Sequence, residues 1–127
     1  MMRWTSMIST TTVIVAVSTL TGCHSAGPMQ LTLGAIDVKV GKGDPPDNFE
    51  EVAQIIGRDG AACGLYGFRG TYERAMVDLK NQAYKLGGKY VQIMTLTEPY
   101  LRGECFDNNY TISGTVYRKA RKRGNER

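Results

Sequence analysis

Hydrophobic residues alternate with polar ones in four stretches of the chain, a pattern typical of half-buried β-strands. Three of these stretches are residues 31–40, 90–97 and 110–118. The fourth, residues 49–57, also fits a short helical stripe, but it is brief and ends in glycine, so we favour a strand. In the first stretch, Ile36, Val38 and Val40 are predicted to share one face.

Residues 71–86 have the period of an amphipathic helix. One apolar stripe at intervals of three or four residues comprises Tyr72, Ala75, Met76, Leu79, Ala83 and Leu86. Thr71 can cap the free N–H groups of the first turn, and Gly87 can take the left-handed conformation that ends a helix. Arg74 and Asp78 are four residues apart, which predicts an ion pair on the outer side.

The order of these elements, β-β-α-β-β, predicts an α+β fold in which one helix packs on one face of a small sheet. The connection from the second strand through the helix to the third is expected to be right-handed and to leave those strands parallel. Residues 41–48 and 58–70 are rich in glycine or in proline and aspartate, and are predicted to be loops. The folded domain is therefore expected to span residues 31–118.

Residues 1–22 have the organisation of a secretory signal peptide, with Arg3 before an apolar stretch too short to span a bilayer. The segment ends in LTGC at residues 20–23, which resembles the lipobox of bacterial lipoproteins. That class of signal implies cleavage before Cys23 and acylation of its thiol and amino group. We predict Cys23 as the lipidation site and residues 23–30 as a short tether. The alternative is an ordinary signal peptide or a membrane anchor.

The residue after the predicted lipidation site bears on localisation. It is His24, whereas lipoproteins retained in the inner membrane usually carry aspartate there. The resemblance to lipoprotein signals therefore implies sorting to the outer membrane, with the domain facing the periplasm.

Three cysteines are present, and acylation of Cys23 leaves Cys63 and Cys105 as an even pair in an oxidising compartment. One follows the second predicted strand and the other follows the third, so the topology places both at the same end of the domain. A disulfide between them is predicted as a structural staple. A redox-active or partner-exchanging disulfide is the alternative, although neither cysteine belongs to a Cys-x-x-Cys motif and the acidic neighbour Glu104 disfavours a thiolate.

The net charge of +4 is concentrated in the last ten residues, which contain six basic side chains and one acidic one. The rest of the mature chain is slightly acidic. Residues 119–127 are therefore predicted to be a basic tail, either solvated or in contact with anionic lipid, peptidoglycan or an acidic protein. The export signal argues against a nucleic-acid partner.

Part of the chain, residues 63–117, resembles a family of small bacterial lipoproteins of unknown function that are similar in fold to the envelope-stress sensor lipoprotein RcsF. The motif runs through the helix, the strand at 91–94 and the closing Gly-Thr-Val-Tyr at 114–117. Its helical residues are Ala75, Asp78, Leu79, Lys80, Asn81, Gln82, Ala83, Gly87 and Gly88.

The resemblance implies an outer-membrane lipoprotein with a small α/β domain stiffened by disulfide bonding. RcsF has two disulfides, whereas one is possible here, and many relatives have a cysteine where this chain has Lys119. The polar motif residues Asp78, Asn81 and Gln82 either serve the fold or mark a partner-binding face. They are our candidate partner-binding residues.

No catalytic combination is recognisable in the sequence. The one histidine adjoins the predicted lipidation site, so a Ser-His or Cys-His pair within the domain is excluded, as is a multi-histidine metal site. Residues 57–70 lack the Lys-Ser/Thr ending of a phosphate-binding loop. We therefore predict a protein that is not an enzyme and has no cofactor.

The predicted function is a periplasm-facing, protein-binding lipoprotein that takes part in envelope-stress monitoring or signalling. The alternative is a structural or accessory subunit of an envelope-spanning assembly, such as the outer-membrane core complex of a secretion system. Both hypotheses require an envelope protein partner and a lipid anchor at Cys23.

Overall fold

A computed structural model of the chain describes residues 29–64 and 67–121. The predicted signal peptide, Cys23, His24 and the tail beyond residue 121 lie outside this part. The elements, in chain order, are a 3₁₀ helix (Leu33–Asp37), β1 (Lys39–Gly41), β2 (Phe49–Asp59), α1 (Tyr72–Lys85), β3 (Tyr90–Thr97), β4 (Tyr100–Arg102), β5 (Cys105–Asp107) and β6 (Tyr110–Lys119).

Four of the strands form one mixed sheet in the order β1-β3-β6-β2, and β4 and β5 form a separate hairpin. The strand β6 is antiparallel to both of its neighbours, so β2 and β3 run parallel to each other on either side of it. The predicted α+β fold and the parallel relation of these two strands are confirmed. The short β1 pairs in parallel with the first three residues of β3.

The helix packs on one face of the sheet through small side chains and one large one. Ala75, Leu79 and Ala83 are fully buried, and they join a core with Val91, Ile112, Val116, Ile55 and Val38. Gly57 of β2 lies directly beneath the helix, where an added Cβ would come within 2.7 Å of Leu79 Cβ. The close approach of helix and sheet therefore depends on small residues on both sides of the contact.

The ends of the helix follow the predicted chemistry. The Thr71 hydroxyl accepts a hydrogen bond from the Arg74 backbone N–H at 3.4 Å, which caps the first turn. Gly87 has a φ of +73°, the left-handed value that glycine tolerates best, and its N–H donates to the Tyr84 carbonyl.

The first predicted strand is wrong over most of its length. Residues 33–37 form a 3₁₀ helix, in which Ala35 is buried and Ile36 is exposed, and only Lys39–Gly41 pairs as a strand. Buried Ala35 and Val38 are three residues apart, the spacing of a 3₁₀ turn, and this spacing overrides the alternation read from the sequence.

One boundary and one element differ from the prediction. The strand β2 continues through Arg58 and Asp59, where the sequence predicts a loop, and the hairpin β4–β5 has no counterpart in the predicted order. The predicted pair of Arg74 and Asp78 is also wrong, because the Arg74 Nε donates to Asp59 Oδ1 at 2.9 Å instead.

Candidate functional site

The hairpin β4–β5 projects from the end of the sheet where the helix begins. Its two-residue turn starts at Gly103, whose φ of +60° suits glycine at the first position of a tight hairpin turn. Tyr100 pairs with Asp107, Leu101 with Phe106 and Arg102 with Cys105. Because side chains of directly paired residues share a face, the hairpin has one polar face and one apolar face.

A disulfide joins the hairpin to the loop after β2. Cys63 and Cys105 are 42 residues apart in sequence and their Cα atoms are 5.5 Å apart. The predicted pairing, and the placement of both cysteines at the same end of the domain, are confirmed. The hairpin has only three residue pairs, and a hairpin of this size is not stable by itself. The disulfide holds it against the loop that contains Cys63.

Asp59 organises the base of the same loop. The Asp59 side chain is 2% exposed, and its carboxylate accepts the Thr71 backbone N–H at 2.9 Å and pairs with the Arg74 guanidinium at 2.9 Å. The Gly70 N–H donates to the Asn108 carbonyl at 2.7 Å, which ties the loop to the start of β6. Strand β2, the helix N-terminus and the start of β6 are thus fixed to one another at this end of the sheet.

Tyr110 completes this base at the first position of β6. Its ring meets that of Tyr72 edge to face, with centroids 5.9 Å apart. Burial raises the pKa of the Tyr110 hydroxyl, and the Glu98 carboxylate raises that pKa further. A tyrosine with the ordinary pKa of about 10 is already protonated at neutral pH, and the upward shift keeps the Tyr110 hydroxyl uncharged to still higher pH.

The apolar face of the hairpin is open to solvent. Leu101 is 67% exposed and Phe106 is 40% exposed, and the guanidinium of Arg69 lies over the Phe106 ring at 5.9 Å from its centroid. Both Leu101 and Phe106 belong to the large apolar side chains that the described part of the chain leaves exposed, and they share one face of the hairpin. We call Leu101 and Phe106 the hairpin patch.

The polar face of the hairpin borders a concavity of about 300 Å³ above the sheet face that lies opposite the helix. The sheet contributes one cross-strand row, in which Arg58 pairs with Thr111 and Thr111 pairs with Thr97. We call this space the arginine concavity. Its lining residues are Arg58, Thr97, Tyr100, Arg102, Asp107, Asn109 and Thr111.

The candidate partner-binding residues lie elsewhere, on the flank of the helix beside β2 and the N-terminal segment. Asp78 Oδ2 accepts the Arg58 backbone N–H at 2.9 Å, and Gln82 Nε2 donates to the Ile56 carbonyl at 2.8 Å. Asn81 bonds the backbone of Thr32 and Gln30, each at 2.9 Å. These contacts give the motif a structural role, and a partner role for the three residues stays a prediction.

The contacts of Asp78 and Gln82 have a specific target. Strand β2 is the last strand of the sheet, and its Ile56 carbonyl and Arg58 N–H point away from β6. An exposed strand edge can pair with another chain, and here two helix side chains occupy part of it. The polar residues Asp78 and Gln82, four positions apart in the helix, are therefore explained by their contacts with the edge of β2.

Of the predicted basic tail, residues 119–121 belong to the described part, and Lys119 and Arg121 are exposed. Directly before the tail, Arg118 pairs with Glu50 of strand β2 at 2.7 Å. Within residues 29–64 and 67–121, no group of three metal-ligating side chains occurs and no helix is long and apolar enough to cross a membrane.

In comparisons with protein-family models, curated proteins and solved structures, nothing matches this chain. The resemblance to RcsF-like lipoproteins therefore stays a prediction.

Sequence reasoning missed the hairpin and, with it, both surfaces at this end of the domain. A usable signal was present in Gly103-Glu104, a glycine-containing pair between two short runs that include aromatic residues. The arginine concavity had no such signal, because its lining comes from β2, the end of β3, the hairpin and β6.

Proposed function

We propose that this protein is a lipid-anchored, extracytoplasmic module that binds another protein through the hairpin patch. The observation that carries the proposal is the outward display of Leu101 and Phe106 on a hairpin clamped by a disulfide. Exposing large apolar side chains to water is unfavourable, and covering them by a partner recovers roughly 25 cal/mol for each Å² removed from solvent.

The disulfide supports the cellular location in the proposal. Stable disulfides form in oxidising compartments, and the Cys63–Cys105 bond accounts for both cysteines other than the predicted lipidation site Cys23. The leader with its LTGC ending supports lipidation at Cys23, and His24 supports sorting to the outer membrane. A role in envelope-stress monitoring follows from the RcsF-like resemblance and is part of the same proposal.

The lipid anchor predicts how the protein fractionates. We expect the wild-type protein to separate with outer membranes and its mature amino-terminal peptide to carry acyl chains, measured by mass spectrometry. The Cys23→Ser variant should leave the membrane fraction, because several acyl chains supply most of the membrane affinity. The Cys63→Ser/Cys105→Ser variant keeps the anchor and serves as the control. A Cys23→Ser protein that still separates with membranes would contradict the anchor.

Protein binding at the hairpin patch predicts site-specific crosslinks in the producing cell. A photo-reactive phenylalanine analogue at Leu101 should give discrete adducts with a protein partner, detected by gel shift and identified by mass spectrometry. The adducts should be lost when Cys63 and Cys105 are both replaced by serine, because the hairpin is then no longer clamped.

The matched control for this experiment is the same analogue at Leu33, which is 84% exposed on a different element. Its position tests whether exposure alone produces adducts. Equal adducts at both positions, or none at position 101, would count against a binding surface on the hairpin.

A further inference from the structure

The arginine concavity has the chemistry of an anion-binding site. Arg58 and Arg102 are two of its lining residues, and neither makes an ion pair with another residue of the described part of the chain. Arginine presents several N–H donors in a planar fork that matches a carboxylate or a phosphate, and it keeps its charge at every physiological pH. Two such forks around one space favour an anionic oxygen group.

The remaining lining supplies donors and one opposing charge. Thr97, Thr111 and Tyr100 contribute hydroxyl groups, which can donate hydrogen bonds to an anion. Asp107 is the one acidic group in the lining, and its Oδ1 already accepts the Asn109 backbone N–H at 3.0 Å. Two cations against one anion leave the concavity with a positive balance.

The backbone at each of the two arginines is held by a separate contact. The Arg58 N–H donates to Asp78 Oδ2 at 2.9 Å, which holds this part of β2 against the helix. Arg102 pairs with Cys105, the half of the disulfide that lies in the hairpin. A ligand that binds between them therefore does not have to order the backbone, which reduces the entropic cost of binding.

The surroundings of the concavity indicate which anion it takes. The hairpin is two strands wide, about 5 Å between strand axes, with the arginine concavity on its polar side and the hairpin patch on its apolar side. A peptide that crosses the hairpin can place a carboxylate against the arginines and an apolar side chain against Leu101. A free inorganic anion gains nothing from the hairpin patch.

On these grounds we propose that the arginine concavity binds a carboxylate side chain of an acidic segment in the partner protein, with Arg58 and Arg102 as its charged contacts. This inference rests on the proposed function and names the chemistry of the partner. It also assigns each face of the hairpin a separate part of the contact, apolar on one side and ionic on the other.

The test is an NMR titration of the full-length oxidised chain with the peptide acetyl-Leu-Glu-Glu-amide. Backbone signals of Arg58, Thr97, Arg102 and Thr111 should shift, and the uncharged acetyl-Leu-Gln-Gln-amide should leave them in place. Arg58→Gln or Arg102→Gln should weaken binding by roughly 10-fold or more, the loss typical of a charge-assisted hydrogen bond. Asp107→Asn should tighten binding, because it removes the like charge.

The control variant is Arg121→Gln, which makes the same change in net charge on an exposed residue outside the concavity. Equal weakening by Arg121→Gln would overturn the site, since it would show attraction to the overall charge alone. Equal or tighter binding of inorganic phosphate, shifts only with anionic phospholipid vesicles, or no shift with the acidic peptide would each overturn the assignment to an acidic segment.

Failure of this inference can be told apart from failure of the proposed function. If crosslinks at Leu101 persist while the acidic peptide does not bind, the hairpin patch stands and the carboxylate site is wrong. If the peptide binds and position 101 gives no crosslinks, the concavity recognises acidic peptides but the proposed protein contact through the hairpin patch is wrong.

Discussion

Replacing both Cys63 and Cys105 by serine should lower the free energy of unfolding by about 4 kcal/mol, according to the chain-entropy description of a cross-link. The disulfide spans 42 residues of sequence and encloses the helix and β3, so its removal gives the unfolded chain much additional freedom. A small domain has an overall stability of about 5–15 kcal/mol, so the loss removes a large fraction of it.

Urea unfolding followed by circular dichroism would measure this effect. Both the test protein and its reference should carry Cys23→Ser, so that the remaining cysteine forms no alternative disulfide. Reduction of the reference protein should give the same loss as the double replacement. Equal midpoints for the oxidised reference and the variant would show that the disulfide does not stabilise the domain.

Leu79→Ala should destabilise the domain by about 2–5 kcal/mol, the range measured for removing a buried leucine side chain. Leu79 is fully buried at the centre of the contact between the helix and the sheet, where Gly57 and Ala75 bring the backbones close together. The surrounding elements are held by backbone pairing and cannot collapse fully into the space, so a cavity remains in addition to the lost burial.

The matched comparison is Leu33→Ala, the same chemical change at a side chain that is 84% exposed. It should alter stability by no more than about 0.5 kcal/mol. Thermal unfolding of the two variants beside the wild type gives the difference directly. Equal destabilisation by the two replacements would contradict a core centred on Leu79.

The elements that could be predicted from sequence are those in which a periodic pattern continues over many residues and ends at a residue typical of a helix or strand end. The helix has an apolar stripe, a capping threonine and a terminal glycine, and β3 is followed by Pro99, so both were predicted closely. The disulfide followed from the order of elements, because each cysteine comes after a strand that runs towards the same end. These features depend on neighbouring residues or on the direction of the chain.

The rest depends on contacts between distant residues. Asp59 is accommodated in a strand because Thr71 and Arg74 bind its carboxylate. These contacts join residues 12 and 15 positions apart, so no local sequence pattern predicts them. The alternation of three apolar residues predicts too long a first strand, because the buried side chains there follow a 3₁₀ turn. The hairpin has three residues in each strand, too few to show a period, and the arginine concavity therefore could not be anticipated.

The side-chain contacts that cover β2 also have a consequence for assembly. Asp78 and Gln82 occupy outward-facing backbone groups of that strand, while at the opposite side of the sheet β1 covers only the first three residues of β3. Among the described strands, pairing with a strand of another molecule is thus favoured along β3 beyond its contact with β1 and hindered along β2. Fibres require both edges of every copy to accept a neighbour, so a sheet with one obstructed edge favours termination over polymerisation.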